Sequence, residues 1–200
     1  HTTSMMRRLR GSPSTCSSTR DEYVHLRPMS RIDVSDKRLR RRTPVRFKHV
    51  RDDLGELLRS VGLDLDLSES FLERAHFEGR DLILVDRVPL GMQVEGEGGN
   101  SWFPTLRGIV AWKPERCWAA VDHGAIPFLM NGADCMGAGI HMADPALEQG
   151  DLVWVRDQEH GKPLALGLAL VSGEDMVEMT SGKAIKTLHW VGDDLWELDA

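Results

Sequence analysis

The chain has 200 residues and 41% hydrophobic content, enough for real cores in one or two small domains. Its net charge of −6 hides an asymmetry: residues 1–51 carry 14 Lys or Arg against 4 Asp or Glu, and residues 52–200 carry 11 against 27. No run nears the roughly eighteen apolar residues of a membrane span. The three cysteines, Cys16, Cys117 and Cys135, are widely and irregularly spaced. They exclude a disulfide framework or a Cys-x-x-Cys metal clip and fit a reducing, cytoplasmic setting.

Residues 1–30 are rich in Ser, Thr and Arg, lack apolar periodicity and have no hydrophobic signal region. They are read as a disordered basic tail, with Met5, Met6 and Met29 as candidate natural starts and Met29 favoured, because structure-like sequence begins just after it. Val50, Leu54, Leu57, Leu58 and Val61 then follow helical spacing, and Gly62 stops the helix. In "ERAHFEGRDLILVDRVPLGMQVE" short strands turn at Glu78-Gly79-Arg80 and at Asp86-Arg87. "EGEGGNS" (95–101) reads as a flexible loop, and Pro104 as the first residue of a short helix with an apolar face of Leu106, Ile109 and Val110. These elements make residues 31–116 one α+β unit.

A second unit, 117–200, opens on the strand "CWAAVD" (117–122) and runs into "VDHGAIPFLMNGADCMGAGI" (121–140), nearly neutral and studded with glycine. A helix from about Gly124 is expected to bury Ile126, Phe128 and Leu129, with Pro127 in its first turn, where a missing N–H costs little. "GDLVWVRD", "KPLALGLALV", "EDMVEMT", "AIKTLHWV" and "DLWEL" read as five short strands of a small barrel or sandwich. Within Leu164–Leu170 the leucines alternate with Ala or Gly. One strand face is therefore bulky, and the other is bare enough for a helix or another backbone to approach.

Catalytic patterns are missing. The eight histidines fall singly, no Gly-x-Ser-x-Gly elbow occurs, and neither Gly-Lys pair has the glycine spacing of a phosphate loop. His189, in a strand context, reads as a hydrogen-bonded structural residue, Asp122 as a helix cap, and Asp52-Asp53 and Asp193-Asp194 as solvated or capping groups. Trp118 and Trp196 are assigned to the core. Trp102, after the glycine loop, is the candidate for exposed stacking. The expectation is a protein that is not an enzyme, with no cofactor and no metal.

The order of "VDHGAIPFLMNGADCMGAGI", Gly150-Asp151, "KPLALGLAL" (162–170) and "GKAIKTLHWVGDDLWEL" (182–198) resembles a PUA domain, the RNA-binding fold shared by pseudouridine synthases and archaeosine transglycosylases. Upstream, "LILVDRVPL" and "WFPTL" resemble the pre-PUA domain of archaeal relatives of the malignant T-cell amplified sequence protein, a family that includes the ligatin-type initiation factor. The resemblance implies an N-terminal α/β pre-PUA domain (31–116), then a C-terminal PUA β pseudo-barrel (117–200) closed by a short helix. Carried over by position, the RNA groove would involve Gly124, Ala125, Pro127, Gly132, Ala133, Asp134, Met136, Gly139 and Ile140. Bare glycine backbone lets a ribonucleotide strand come close to peptide N–H groups. Family members commonly have proline where this chain has Ala138.

Residues 118–200 hold four cations (Arg156, Lys162, Lys183, Lys186) against fourteen Asp or Glu, a balance that repels a polyanion. Either high-salt adaptation explains the acidity, or Lys183, Lys186 and the arginines of "KRLRRRTPVRFK" (37–48), notably Arg40, Arg41 and Arg42, supply a local attraction. Two functions follow. In one, a monomeric translation accessory grips tRNA or ribosomal RNA and docks on the small ribosomal subunit in initiation or recycling. In the other, the chain is an adaptor for a zinc-bearing, initiation-factor-like protein partner, with little RNA affinity of its own.

Overall fold

The computed structural model describes residues 38–96 and 99–198. The tail expected over 1–30 and the start at Met29 lie outside those residues. The first half is a five-stranded antiparallel meander, β1 (Arg40–Pro44), β2 (Leu72–Phe77), β3 (Arg80–Val85), β4 (Val88–Gly96) and β5 (Gly99–Pro104), hydrogen-bonded in that order. Both hairpin turns fall where expected. Positive φ at Glu78, Gly79, Asp86 and Arg87 gives them the left-handed geometry whose twist matches paired strands. The loop expected over 95–101 is instead mostly ladder, because β4 and β5 stay paired out to Gly96 and Gly99.

Helix α1 (Arg51–Ser60) lies on one face of this sheet, burying Leu54, Leu57 and Leu58, and Gly62 ends it at φ +73. Strand β3 is apolar on both sides: Ile83 and Val85 meet α1, while Leu82 and Leu84 point the other way. Helix α2 (Leu106–Trp112) starts two residues later than Pro104 predicts. Pro104 closes β5, and Thr105 caps the helix by accepting the Gly108 N–H at 3.1 Å. A hydroxyl that satisfies an orphan N–H outcompetes proline as the starting residue.

The second half is a six-stranded sheet in the order β7 (Cys135–Met136), β11 (Lys183–Trp190), β10 (Pro163–Ala169), β9 (Leu152–Asp157), β6 (Trp118–Val121), β8 (Ile140–Ala143). Only β6 and β9 run parallel. β7 and β8 stand at opposite edges, yet only residues 137–139 separate them in sequence. Flat, those edges would be about 24 Å apart, and so short a connection spans at most about 14 Å, so the sheet must curl. The short helix α3 (Ile126–Leu129) packs on the curl's apolar interior (Leu129, Val121, Val153, Val155, Ala165).

Two expected strands are absent. "EDMVEMT" forms helix α4 (Gly173–Glu178), because Ser172 caps it through the Asp175 N–H and acidic residues occupy its first turn. "DLWEL" is a turn segment held by Asp193, whose carboxylate accepts from Trp190 N–H and Trp196 N–H and lies 2.6 Å from His189 Nδ1. Asp193 is thus a half-buried anchor, and Leu195 and Leu198 reach a core that both sheets share with Phe77, Leu84, Phe103, Trp154 and Leu166.

β10 explains the alternating leucines. Leu166 faces the shared core, Ala165 and Ala169 face the curl, and Leu164 joins them there, because the register with β9 slips between Pro163 and Ala165. At Gly167 an added Cβ would collide with the Lys186 carbonyl of β11. The small residues on the curl side leave room for α3, whose Leu129 packs in the same cluster as Ala165 and Ala169.

Candidate nucleic-acid interface

The glycine stretch builds a hollow of about 330 Å³ between α3 and the β7–β8 turn. Asp122 sets its floor. Its Oδ1 accepts the Ala125 N–H at 3.0 Å, which holds the turn leading into α3 rather than capping the helix, whose N-cap is Ala125. Its Oδ2 lies 3.1 Å from His141 Nε2. The His141 contact, with the backbone N–H groups, holds the Asp122 carboxyl below the usual carboxylate range. Opposite, Asp134 Oδ2 accepts from Lys183 Nζ at 2.7 Å and Oδ1 from the Thr187 N–H at 3.1 Å, which lowers its pKa in the same way. Thr187 Oγ1 donates to the Ala133 carbonyl at 2.8 Å, stitching the loop to β11.

Of the residues assigned to the groove by position, the hollow brings together Gly124, Ala125, Asp134, Met136 and Gly139. Others serve the fold. At Gly132, with φ +76, an added Cβ would come within 2.7 Å of Trp190, so this glycine makes room for an indole rather than a ligand. Ile140 is 2% exposed and points into the curl. Pro127, Ala133 and Lys186 are exposed but do not line the hollow. Arg40, Arg41 and Arg42 sit on β1, an exposed edge strand of the other sheet. Arg42 forms a bidentate pair with Glu73, both bonds 2.9 Å, and is thereby committed to the fold.

Phe128 was expected in the core but is 68% exposed at the rim of the hollow, with Met136 also exposed. A one-turn helix buries one side, and Leu129 takes it. Four consecutive apolar residues, Pro127 to Met130, exceed what such a helix can hide, and that was the available signal. Trp102 is the reverse case. It is 3% exposed, packs under α1, donates its indole N–H to Asp53 at 3.0 Å and lies beneath Arg74. Asp53 is therefore an ion-pairing and hydrogen-bonding residue, not a solvated one. Trp118 and Trp196 are only partly buried, both against the shared core.

His189 is fully buried against Asp193, which fits its structural reading. Burial raises the Cys117 and Cys135 thiols to about 11 and about 12, so both stay protonated. Among the described residues no His, Cys, Asp and Glu cluster has the makings of a metal site, and no helix is long and apolar enough to cross a membrane.

The family model for the PUA domain matches residues 118–191. An uncharacterized protein of Methanocaldococcus jannaschii is 35% identical over 169 residues, which cover 84% of this chain and 93% of that one. Translation machinery-associated protein 20 of Schizosaccharomyces pombe is 35% identical over 99 residues, 47% of this chain and 54% of the relative, so about half of that relative is matched. The crystal structure of a hypothetical protein from Pyrococcus horikoshii superposes with a TM-score of 0.67 at 30% identity, covering 78% of this chain and 98% of that one. The chain therefore belongs to the PUA-domain family of these archaeal proteins, homologous to translation machinery-associated protein 20 and the malignant T-cell-amplified sequence proteins.

Proposed function

We propose that the protein is an RNA-binding accessory of translation. Its PUA domain (117–200) grips an exposed stretch of tRNA or ribosomal RNA, and its pre-PUA domain (31–116) docks on the small ribosomal subunit during initiation or recycling. Kinship with proteins named for the translation machinery supports the cellular process. The carrying observation is the open apolar hollow, where bare backbone at Gly124 and Gly139 adjoins the exposed ring of Phe128. A base can stack on Phe128, while the glycines admit a sugar-phosphate backbone to the neighbouring peptide groups. Asp122, Asp134 and Lys183 shape the site.

A monomer in the cytoplasm, acting beside a zinc-bearing initiation-factor-like protein, is the companion proposal. The acidity of residues 118–200 favours such a partner as a second reading, that of an adaptor with little RNA affinity of its own. Binding of the full chain to deacylated tRNA and to small ribosomal subunits across a salt series tests the assignment. Saturable binding lost on Phe128→Asp supports it. Absence of RNA binding at low salt, with partner-only association, establishes the adaptor instead.

A further inference from the structure

A second surface lies on the other face of the six-stranded sheet. Strand alternation turns Val153 and Val155 into the curl and sends Trp154 and Arg156 outward, beside Trp118 of β6. These side chains and the end of α2 bound an open cavity of about 600 Å³. Its floor is fixed: Trp154 donates its indole N–H to the Arg116 carbonyl at 2.9 Å. Its walls are apolar, formed by Ile109, Val110, Pro114 and Pro163, with Val110 48% exposed.

The charges here are unsettled. The Arg156 guanidinium stacks 3.7 Å from the Trp118 ring centre and 5.8 Å from that of Trp154. Among the described residues no carboxylate or carbonyl accepts from it, and burial alone depresses its pKa. A stacked, partly desolvated guanidinium with its fork of donors unanswered is poised for an external carboxylate or phosphate. Lys113 and Lys162 flank it, and Glu115 is the one carboxylate in the lining. Lys113 also occupies the left-handed position ending α2, φ 49, where glycine is favoured. Asp157, next along the strand, is engaged elsewhere, by His160 and its own loop's N–H groups.

We propose that this patch docks an acidic linear segment of a partner protein. One carboxylate sits in the Arg156 fork between Lys113 and Lys162, and an adjacent aliphatic or aromatic side chain packs on Val110 and the prolines. Two observations favour a peptide over RNA. Arg156 already covers one face of Trp118, whose ring is partly buried against the shared core, so a base stacking there would have to displace the guanidinium. The apolar walls reward a hydrophobic side chain, which a phosphodiester lacks. The assignment stands on these residues and not on the RNA reading of the glycine hollow.

Fluorescence anisotropy with the full chain provides the test. The probes are a fluorescein-labelled peptide of about ten residues, glutamates and aspartates with two leucines, a lysine–leucine counterpart, and an oligouridylate of about ten nucleotides. The acidic peptide is expected to bind, and Arg156→Gln and Val110→Glu each to weaken it about tenfold while Phe128→Asp leaves it unchanged. Val110→Glu alters an exposed side chain, so its loss of binding with an unchanged melting curve is not a folding defect. Three results overturn the proposal: the lysine–leucine peptide binding as well as the acidic one, Val110→Glu leaving peptide affinity intact, or both variants weakening the oligouridylate and not the peptide.

Discussion

The two hollows flanking the six-stranded sheet differ in how their charges are settled. Around the glycine stretch each lining carboxylate has its own partner, Asp122 with His141 and Asp134 with Lys183. Around the end of α2 the cations outnumber the carboxylates, and Arg156 rests on an indole instead of an acid. As the proposed RNA site, the first surface would rely on shape and apolar contact, whereas the second offers charge. On the proposed RNA reading, an acidic domain meets a polyanion where its carboxylates already have partners, as Asp122 and Asp134 do beside Phe128.

Four changes test this contrast, in falling order of effect. Gly167→Val forces a side chain into the Lys186 carbonyl on the strand between the two surfaces. It should cost about 3 kcal/mol or more of stability in urea denaturation and remove both surfaces together. Wild-type stability in that variant would mean β10 and β11 are not in this register. Phe128→Asp should weaken RNA about thirtyfold by anisotropy and leave acidic-peptide binding intact. Equal losses of both ligands would erase the distinction between the faces.

Arg41→Ser removes an exposed cation from β1 and should weaken RNA about threefold, with the slope of log K against log salt falling by about one. Arg42→Ser is the poorer probe, since it strands a buried Glu73 and lowers the melting temperature for structural reasons. The smallest effect is on acid stability. Asp122 and Asp134 are held below the ordinary carboxylate range in the fold, by the His141 contact and the Lys183 bond respectively, so they stabilise it fully above the unfolded carboxylate range. Their contribution is lost as pH falls through the lower folded values. Melting temperatures should decline below about pH 4, less steeply in Asp134→Asn than in the wild type. An identical acid limb in both would show that the Lys183 pair contributes nothing.

What the sequence disclosed followed from local rules. Turns at 78–79 and 86–87, α1 with its glycine stop, and the bare face of β10 each depend on neighbours a few positions away. The misreadings share another cause. Phe128 and Trp102 exchanged their expected places because burial depends on which element covers which, and nothing adjacent in sequence reveals that α1 lies over Trp102. Asp193 and Ser172 turned two apparent strands into a turn and a helix, since one carboxylate or hydroxyl gathering N–H donors outweighs a short apolar pattern. The glycines divide likewise. Gly124 and Gly139 border the hollow, whereas Gly132 and Gly137 make room for Trp190 and Met179, a division legible only in three dimensions.

Titrating the isotope-labelled full chain with an oligouridylate of about ten nucleotides, and following its amide resonances, tests the central assignment most directly. The largest shifts are expected at residues 122–139 and 183–187, with Lys113, Arg156 and Lys162 unmoved. Shifts centred on those three residues, with the Gly124 to Gly139 backbone silent, would contradict it.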